Sequence, residues 1–344
     1  MSLALPRPFP PAEARLVDEI PEGDGWQYEP KWDGFRCLAF RDGPEVELQS
    51  KALKPLTRYF PEVAADLASL PEQRFVLDGE LIIRAGPALS FERLLERIHP
   101  AESRIRKLAR EFPASFVAFD LLVEGERLFV GEPFSERRRL LQGFAARNFG
   151  AARRVHLSPV AGGSDEARCW LEGGVGLDGV VAKRLDLPYC SGERTGMLKV
   201  KRQRTADCVV GGFRYAAAGR VIGSLLLGLY GPDGLLHHVG FTSGLTAAQR
   251  SEYAAKLEPL RGGSGFTGNA PGGPSRWSTE RSAQWEALRP ELVVEVGYDH
   301  FSEGRFRHGT RLLRWRPDKA PEQCTFEQVE RAGETAGLLT DWTS

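Results

Sequence analysis

The chain has few cysteines and no arrangement for them. The five, Cys37, Cys169, Cys190, Cys208 and Cys324, are scattered and odd in number, and no two form a C-x-x-C pair. That argues against a zinc ribbon or a disulfide framework, and a reducing compartment fits better. Charge of either sign is not in excess: Lys plus Arg number 46 and Asp plus Glu 46. Any nucleic-acid surface must therefore come from local clusters. No apolar run is long enough to span a bilayer. The proline-rich start, residues 1–11, lacks the charged segment and apolar stretch of a signal peptide. The expectation is a cytoplasmic protein with no membrane partner. A Walker-type phosphate loop and a G-x-G-x-x-G are both missing. Among the six histidines, His237 and His238 are neighbours in a strand-like stretch and so face opposite ways, and Tyr298-Asp299-His300 lacks metal-ligand spacing.

What is present is an ordinary globular composition, 42% hydrophobic and 27% charged, over 344 residues. That length suggests two domains. Helical periodicity appears at Pro55–Leu70, Ser90–Ile98, Ala101–Glu111, Ser135–Ala146 and Ser164–Glu172. Strand-like runs appear at Phe35–Phe40, Glu45–Gln49, Phe75–Ile83 and Phe116–Leu122, after Asp178 as far as Lys183, and at Met197–Arg202. After Arg204 the texture changes to short strands parted by glycine turns, with one helix at Thr246–Leu257 and a glycine- and proline-rich loop at 261–276. This reads as a small Greek-key barrel of OB type. The fold class is α+β, with a domain at 1–203, a hinge at 204–206, an OB-fold domain at 207–330 and a tail at 331–344. Basic clusters stand at Arg104–Arg110, Arg137–Arg139, Lys199–Arg204 and Arg305–Arg316. The first two read as solvated helix faces.

The chemistry centres on Tyr28-Glu29-Pro30-Lys31-Trp32-Asp33-Gly34-Phe35-Arg36. A free lysine has a pKa of about 10.4 and does not attack at neutral pH unless desolvation or nearby cations lower it. Trp32 and Phe35 can exclude water, and Arg36 adds positive charge. Gly34 allows a tight turn or a close approach, and Lys31 is expected in the loop leading into the hairpin of Phe35–Phe40 and Glu45–Gln49. Asp78-Gly79-Glu80 interrupts an apolar strand. Its carboxylates need partners or a ligand there, unless the three residues are a turn between two short strands. Phe119 beside Asp120 is either core or a platform for a base. In Met197-Leu198-Lys199-Val200-Lys201 the two lysines share one strand face. An anion such as a polyphosphate would relieve their repulsion, and a solvated edge strand would do the same.

Taken in order, Lys31-x-Asp33-Gly34-x-Arg36, Asp78-Gly79-Glu80, Phe119-Asp120, Asp178-Gly179-Val180-Val181-Ala182-Lys183, Lys199-x-Lys201 and Arg316-x-Asp318-Lys319 resemble the covalent nucleotidyltransferase superfamily. Within it they resemble ATP-dependent DNA ligases of the small stand-alone bacterial type related to the ligase module of end-joining enzymes. The resemblance implies an adenylation domain followed by an OB domain, and ATP with a divalent metal, Mg2+ or Mn2+. Lys31 would carry AMP. Glu29 would read the adenine, Phe119 would stack on it, and Arg36 and Glu80 would hold the ribose. Lys183, Lys199 and Lys201 would neutralise phosphate, and Asp178 and Glu80 would help hold the metal. Arg316, Asp318 and Lys319 would orient the pyrophosphate. The substrate implied is nicked double-stranded DNA, and the protein a monomer acting in repair.

Three positions depart from the family pattern: Asp178 where Glu is usual, Lys51 where Arg is frequent, and Met197 where Trp is common. Two other readings start from the same residues. One is an RNA ligase or a GTP-using capping enzyme of the same superfamily. The other is a non-catalytic DNA-binding scaffold.

Overall fold

The computed structural model describes residues 3–86, 88–172, 177–202, 204–216, 221–272 and 284–330. Gly176, Gln203 at the end of the expected first domain, the end of the glycine-rich loop at 273–276 and the tail at 331–344 lie outside the described residues. The chain forms two compact units, with the division between Arg202 and Gln203.

In the first unit the larger sheet has strands Glu45–Ser50, Phe35–Asp42, Arg74–Ala85 and Ala114–Glu124 side by side, all antiparallel. Its apolar runs are nearly continuous because both faces are covered. Cys37, Ala39, Phe75, Leu77 and Phe116 pack on one face with Phe60 and with Val63, Leu67, Leu141 and Phe144 from helices Pro61–Ala68 and Phe134–Asn148. The alternate residues Leu38, Phe40, Val76 and Leu122 pack on the other face with Leu3, Leu5, Tyr189 and Met197. The Asp78-Gly79-Glu80 stretch is not a turn: Arg74–Ala85 is one strand, and Asp78 is buried in it.

The smaller sheet runs in the order Ala14–Val17, Met197–Lys201, Leu177–Arg184, Trp26–Trp32. Helix Ser164–Glu172 adds Ala167 and Trp170 to Tyr28, Trp32, Leu177, Val180 and Val200 behind this sheet. The residues alternating with those core positions face the other way, and the site is built on that side.

The second unit threads Leu236–Thr242, Ile222–Tyr230, Arg204–Tyr215, Val293–Tyr298 and Arg311–Trp315 into one antiparallel path. A bridge between Thr242 and Thr310 links the two ends. The sheet is therefore curled into a partly open barrel of OB type. Helix Ala247–Leu257 starts at a capping box, in which Thr246 accepts from Gln249 and Gln249 reaches back. It buries Tyr253 and Leu257 in the barrel core. Arg204 to Ala206 pair with Tyr298 to Val296 at the start of a barrel strand, and Ala206 is buried.

Candidate active site

Register places the lysines. Lys31 lies opposite Gly179, which lies opposite Lys201; Glu29 lies opposite Val181, which lies opposite Lys199; and Lys183 lies opposite Gln27 and Met197. With side chains alternating along each strand, these residues share one face of the small sheet. One pocket in the first unit is lined by Glu29, Lys31, Arg36, Lys51, Glu80, Phe119, Lys183 and Lys199, together with Pro11 to Ala14 of the N-terminal segment.

Two bulges aim side chains at this pocket. Pairing jumps from Leu177–Trp32 to Gly179–Lys31, so Asp178 is the extra residue. Its carboxylate Oδ2 meets the Lys31 Nζ in an ion pair. Gly179 follows with φ at +145°, and a Cβ there would sit 2.0 Å from the Val200 carbonyl oxygen. On the larger sheet, Asp78 pairs with Asp120 while Gly79 pairs with Ala118, which leaves Phe119 as the extra residue. A bulge redirects a side chain where regular pairing would bury it in the sheet. Gly34 serves close packing instead: a Cβ would come within 2.2 Å of the Leu81 carbonyl oxygen.

The charges are strongly organised. Glu29 is buried and receives Lys183 Nζ at 3.0 Å and Gln27 Nε2 at 2.9 Å, with Arg138 Nη1 3.8 Å away. Lys183 also donates to the Phe119 carbonyl at 3.2 Å and stands 4.3 Å from the Phe119 ring centroid. Burial pushes the Lys183 ammonium below its ordinary pKa, although Glu29 and Asp120 oppose this. Arg36 grips Asp78 with two hydrogen bonds of 2.6 Å and lies 4.6 Å from the Phe119 centroid. Burial works against the Arg36 charge, but Asp78 outweighs it and raises the pKa. Burial also pushes the half-buried Glu80 carboxyl up to about 8, against the pull of Arg36 and Lys31. Lys199 is lowered by desolvation and then by the like charges of Lys31, Lys51, Lys201 and Arg194. At the mouth, Glu13 pairs with Lys51 at 3.0 Å and Arg194 at 3.1 Å.

Of the expected carboxylates, Asp178 pairs with Lys31, and Glu80 lines the same pocket, where the Lys31 charge pulls its carboxyl down. Among the described residues no group of three or more His, Cys, Asp or Glu is placed to hold a metal. Two carboxylates alone suit a hard ion that keeps most of its waters, as magnesium does. Lys201 shares the lysine face but is not among the pocket-lining residues. Arg316, Asp318 and Lys319 belong to the second unit. There Arg316 Nη1 reaches Asp207 at 2.9 Å, its Nη2 reaches Asp318 at 2.9 Å, and Lys319 Nζ reaches Asp207 at 3.0 Å.

The Arg137–Arg139 run needs correction as a solvated helix face. Arg137 and Arg138 are buried. Arg137 holds Asp120 at 2.8 and 2.9 Å, and Arg138 Nη2 donates to the Ser158 carbonyl at 2.6 Å. The signal was present in the periodicity: Phe134, Arg137, Arg138, Leu141 and Ala145 follow the i, i+3, i+4, i+7 pattern of one buried helix face. Tyr189 was also missed. Its hydroxyl donates to Asp78 Oδ2 at 2.5 Å and accepts from the Ala12 amide at 3.0 Å. Nothing local in the sequence marks it.

A lysine-centred pocket on an adenylation-type unit, followed by an OB-type unit, is the architecture of a covalent nucleotidyltransferase. The family model described as ATP dependent DNA ligase domain matches residues 13–201, and that for the ATP dependent DNA ligase C terminal region matches residues 218–319. DNA ligase C1 of Mycolicibacterium smegmatis is 45% identical over 342 residues, covering 96% of each chain. DNA ligase C of Mycobacterium tuberculosis is 44% identical over 348 residues, again with 96% of each covered. A solved Lig E DNA ligase shares the fold at 18% identity, with a TM-score of 0.55 over 89% of this chain and 99% of its own. The chain belongs to the ATP-dependent DNA ligases. Membership implies ATP and a divalent metal ion, and action on DNA.

Proposed function

We propose that the protein seals nicks between a 3′-hydroxyl and a 5′-phosphate in double-stranded DNA during repair, through AMP carried on Lys31. The observation that carries this is the Lys31 amine, in contact with Asp178, on a sheet face shared with Lys183, Lys199 and Lys201. The Lys31 nitrogen attacks the ATP α-phosphorus and pyrophosphate leaves. Asp178 Oδ2 is the group in contact to hold the proton that the amine gives up. AMP then passes to the 5′-phosphate. The 3′-hydroxyl attacks that phosphate and AMP departs.

Phosphoryl transfer asks mainly for in-line placement and charge neutralisation. Lys183, Lys199 and Lys201 neutralise phosphate. Glu29, held ready by Lys183 and Gln27, accepts from the adenine amino group, and Phe119 stacks on the base. Arg36, braced by Asp78, and Glu80 hold the ribose. Asp178 and Glu80 would hold Mg2+ or Mn2+, which supplies Lewis-acid neutralisation of phosphate charge. The second unit brings Arg316, Asp318 and Lys319 to the pyrophosphate, with residues 204–206 as the hinge. The working form is a monomer in the bacterial cytoplasm.

Incubation with α-labelled ATP and, separately, GTP tests this. The wild-type chain should take covalent label from ATP, and Lys31→Ala should take none. Lys31→Ala should also fail on an ordinary nick while retaining some sealing of a nick that already bears a 5′-adenylate. Label from GTP alone would move the protein to the capping class. Persistent sealing of an ordinary nick by Lys31→Ala would refute the covalent mechanism.

A further inference from the structure

We infer that Asp207 is a positioning residue that presents Arg316 and Lys319 as a preset cation pair for the pyrophosphate part of ATP. This rests on the reading of Arg316 and Lys319 proposed above. Asp207 lies on the first barrel strand, opposite Glu295. Its two carboxylate oxygens are divided: Oδ1 takes Arg316 Nη1 at 2.9 Å and Oδ2 takes Lys319 Nζ at 3.0 Å. Its own backbone is held on both sides by one residue. The Gln328 side chain accepts from the Asp207 amide at 2.9 Å and donates to the Asp207 carbonyl at 2.9 Å.

The two acids on Arg316 differ in kind. The Asp207 side chain is 11% exposed and Asp318 is 63% exposed. Asp318 occupies the Nε and Nη2 edge of the guanidinium, with hydrogen bonds of 3.0 and 2.9 Å. Asp207 takes Nη1 from the buried side. An exposed acid on one edge of the fork can give way to phosphate oxygens, because a guanidinium edge matches phosphate as it matches carboxylate. The buried acid then stays behind and keeps the fork and the ammonium at a set spacing. Both side chains are long and flexible, so without that anchor each would have to be ordered when ATP binds. A plain structural ion pair would need one cation, whereas this carboxylate holds two from one short segment.

The test uses the full chain with Asp207→Asn. Lys31 adenylate formation from labelled ATP should slow by about tenfold or more at saturating ATP, the loss expected when oriented charge is removed. Single-turnover sealing of a pre-adenylated nick, which releases no pyrophosphate, should stay within about twofold on the same ground. Asp207→Glu keeps the charge but shifts the pair, and should show the same split with a smaller loss. It also serves if the Asn variant does not fold. Unchanged or faster adenylate formation would overturn the inference. So would an equal loss in both reactions accompanied by a lower melting temperature, since that is a purely structural effect. Arg316→Ala separates the two levels: if it adenylates normally, the reading of the Arg-x-Asp-Lys segment is what fails.

Discussion

At the scale of single residues, burial decides behaviour more than residue type does. Glu80 is a carboxylic acid whose pKa is pushed up to about 8 in the fold. In the unfolded chain it ionises near 4.3. Between those values the folded state holds a proton that the unfolded state has released, so stability falls as pH rises and levels off above about 8. Glu80→Gln should remove that component. Urea midpoints of the nucleotide-free protein from pH 5 to 8 should then fall less steeply in the variant, and an unchanged slope would assign the effect elsewhere. Arg137 poses a different case. It is buried and binds both oxygens of the buried Asp120. Arg137→Ala leaves that carboxylate without its charge partner and should cost about 3–5 kcal/mol in chemical denaturation. Arg139 is exposed and paired with Glu136 three residues before it, and Arg139→Ala should leave the denaturation midpoint close to that of wild type. Three consecutive arginines thus give opposite outcomes, because helical geometry turns two of them inward.

At the scale of elements, the site depends on where regular strands are interrupted. Asp178 and Phe119 are both bulge residues. Shortening either strand by one residue would flip the following side chains to the other face. Gly34 allows the turn after Lys31 to pass over the neighbouring strand, with no room for a Cβ beside Leu81 and Glu80. Gly34→Ala should destabilise the first unit by about 3 kcal/mol, the upper end of ordinary overpacking, because the nearest obstacle is backbone. A denaturant midpoint within error of wild type would show that the turn relaxes freely. The helix at Ala247–Leu257 illustrates the converse. Its capping box and its apolar face are local, so its limits could be read almost to the residue.

At the scale of the whole molecule, the two units have separate hydrophobic cores. Val209, Leu225, Leu257 and Val294 belong to one, and Phe60, Phe75, Phe116 and Phe144 belong to another. The pocket around Lys31 is lined by residues of the first unit. Calorimetry of the full chain should show two unfolding transitions, and ATP should raise the one belonging to residues 1–202. At a hundredfold excess over Kd the gain is about 2.7 kcal/mol. A single transition that moves as one would mean that the units unfold together.

The order of the chemical groups along the chain was legible in the residues alone. Strand alternation is local, and it set Lys199 beside Lys201 before any contact was known, whereas Glu29 and Lys31 share a face only because Trp26–Trp32 folds as a strand rather than a loop. The change of texture after Arg204 likewise marked the barrel. Which charges meet depends on the folded chain. Lys31 finds Asp178 147 residues away, Tyr189 finds Asp78 111 residues away, and Arg316 finds Asp207 109 residues away. Such partners follow from sheet order, bulge position and helix docking, and these depend on the packing of the whole core. A local pattern tells a side chain which way to point, and the folded chain supplies what stands there.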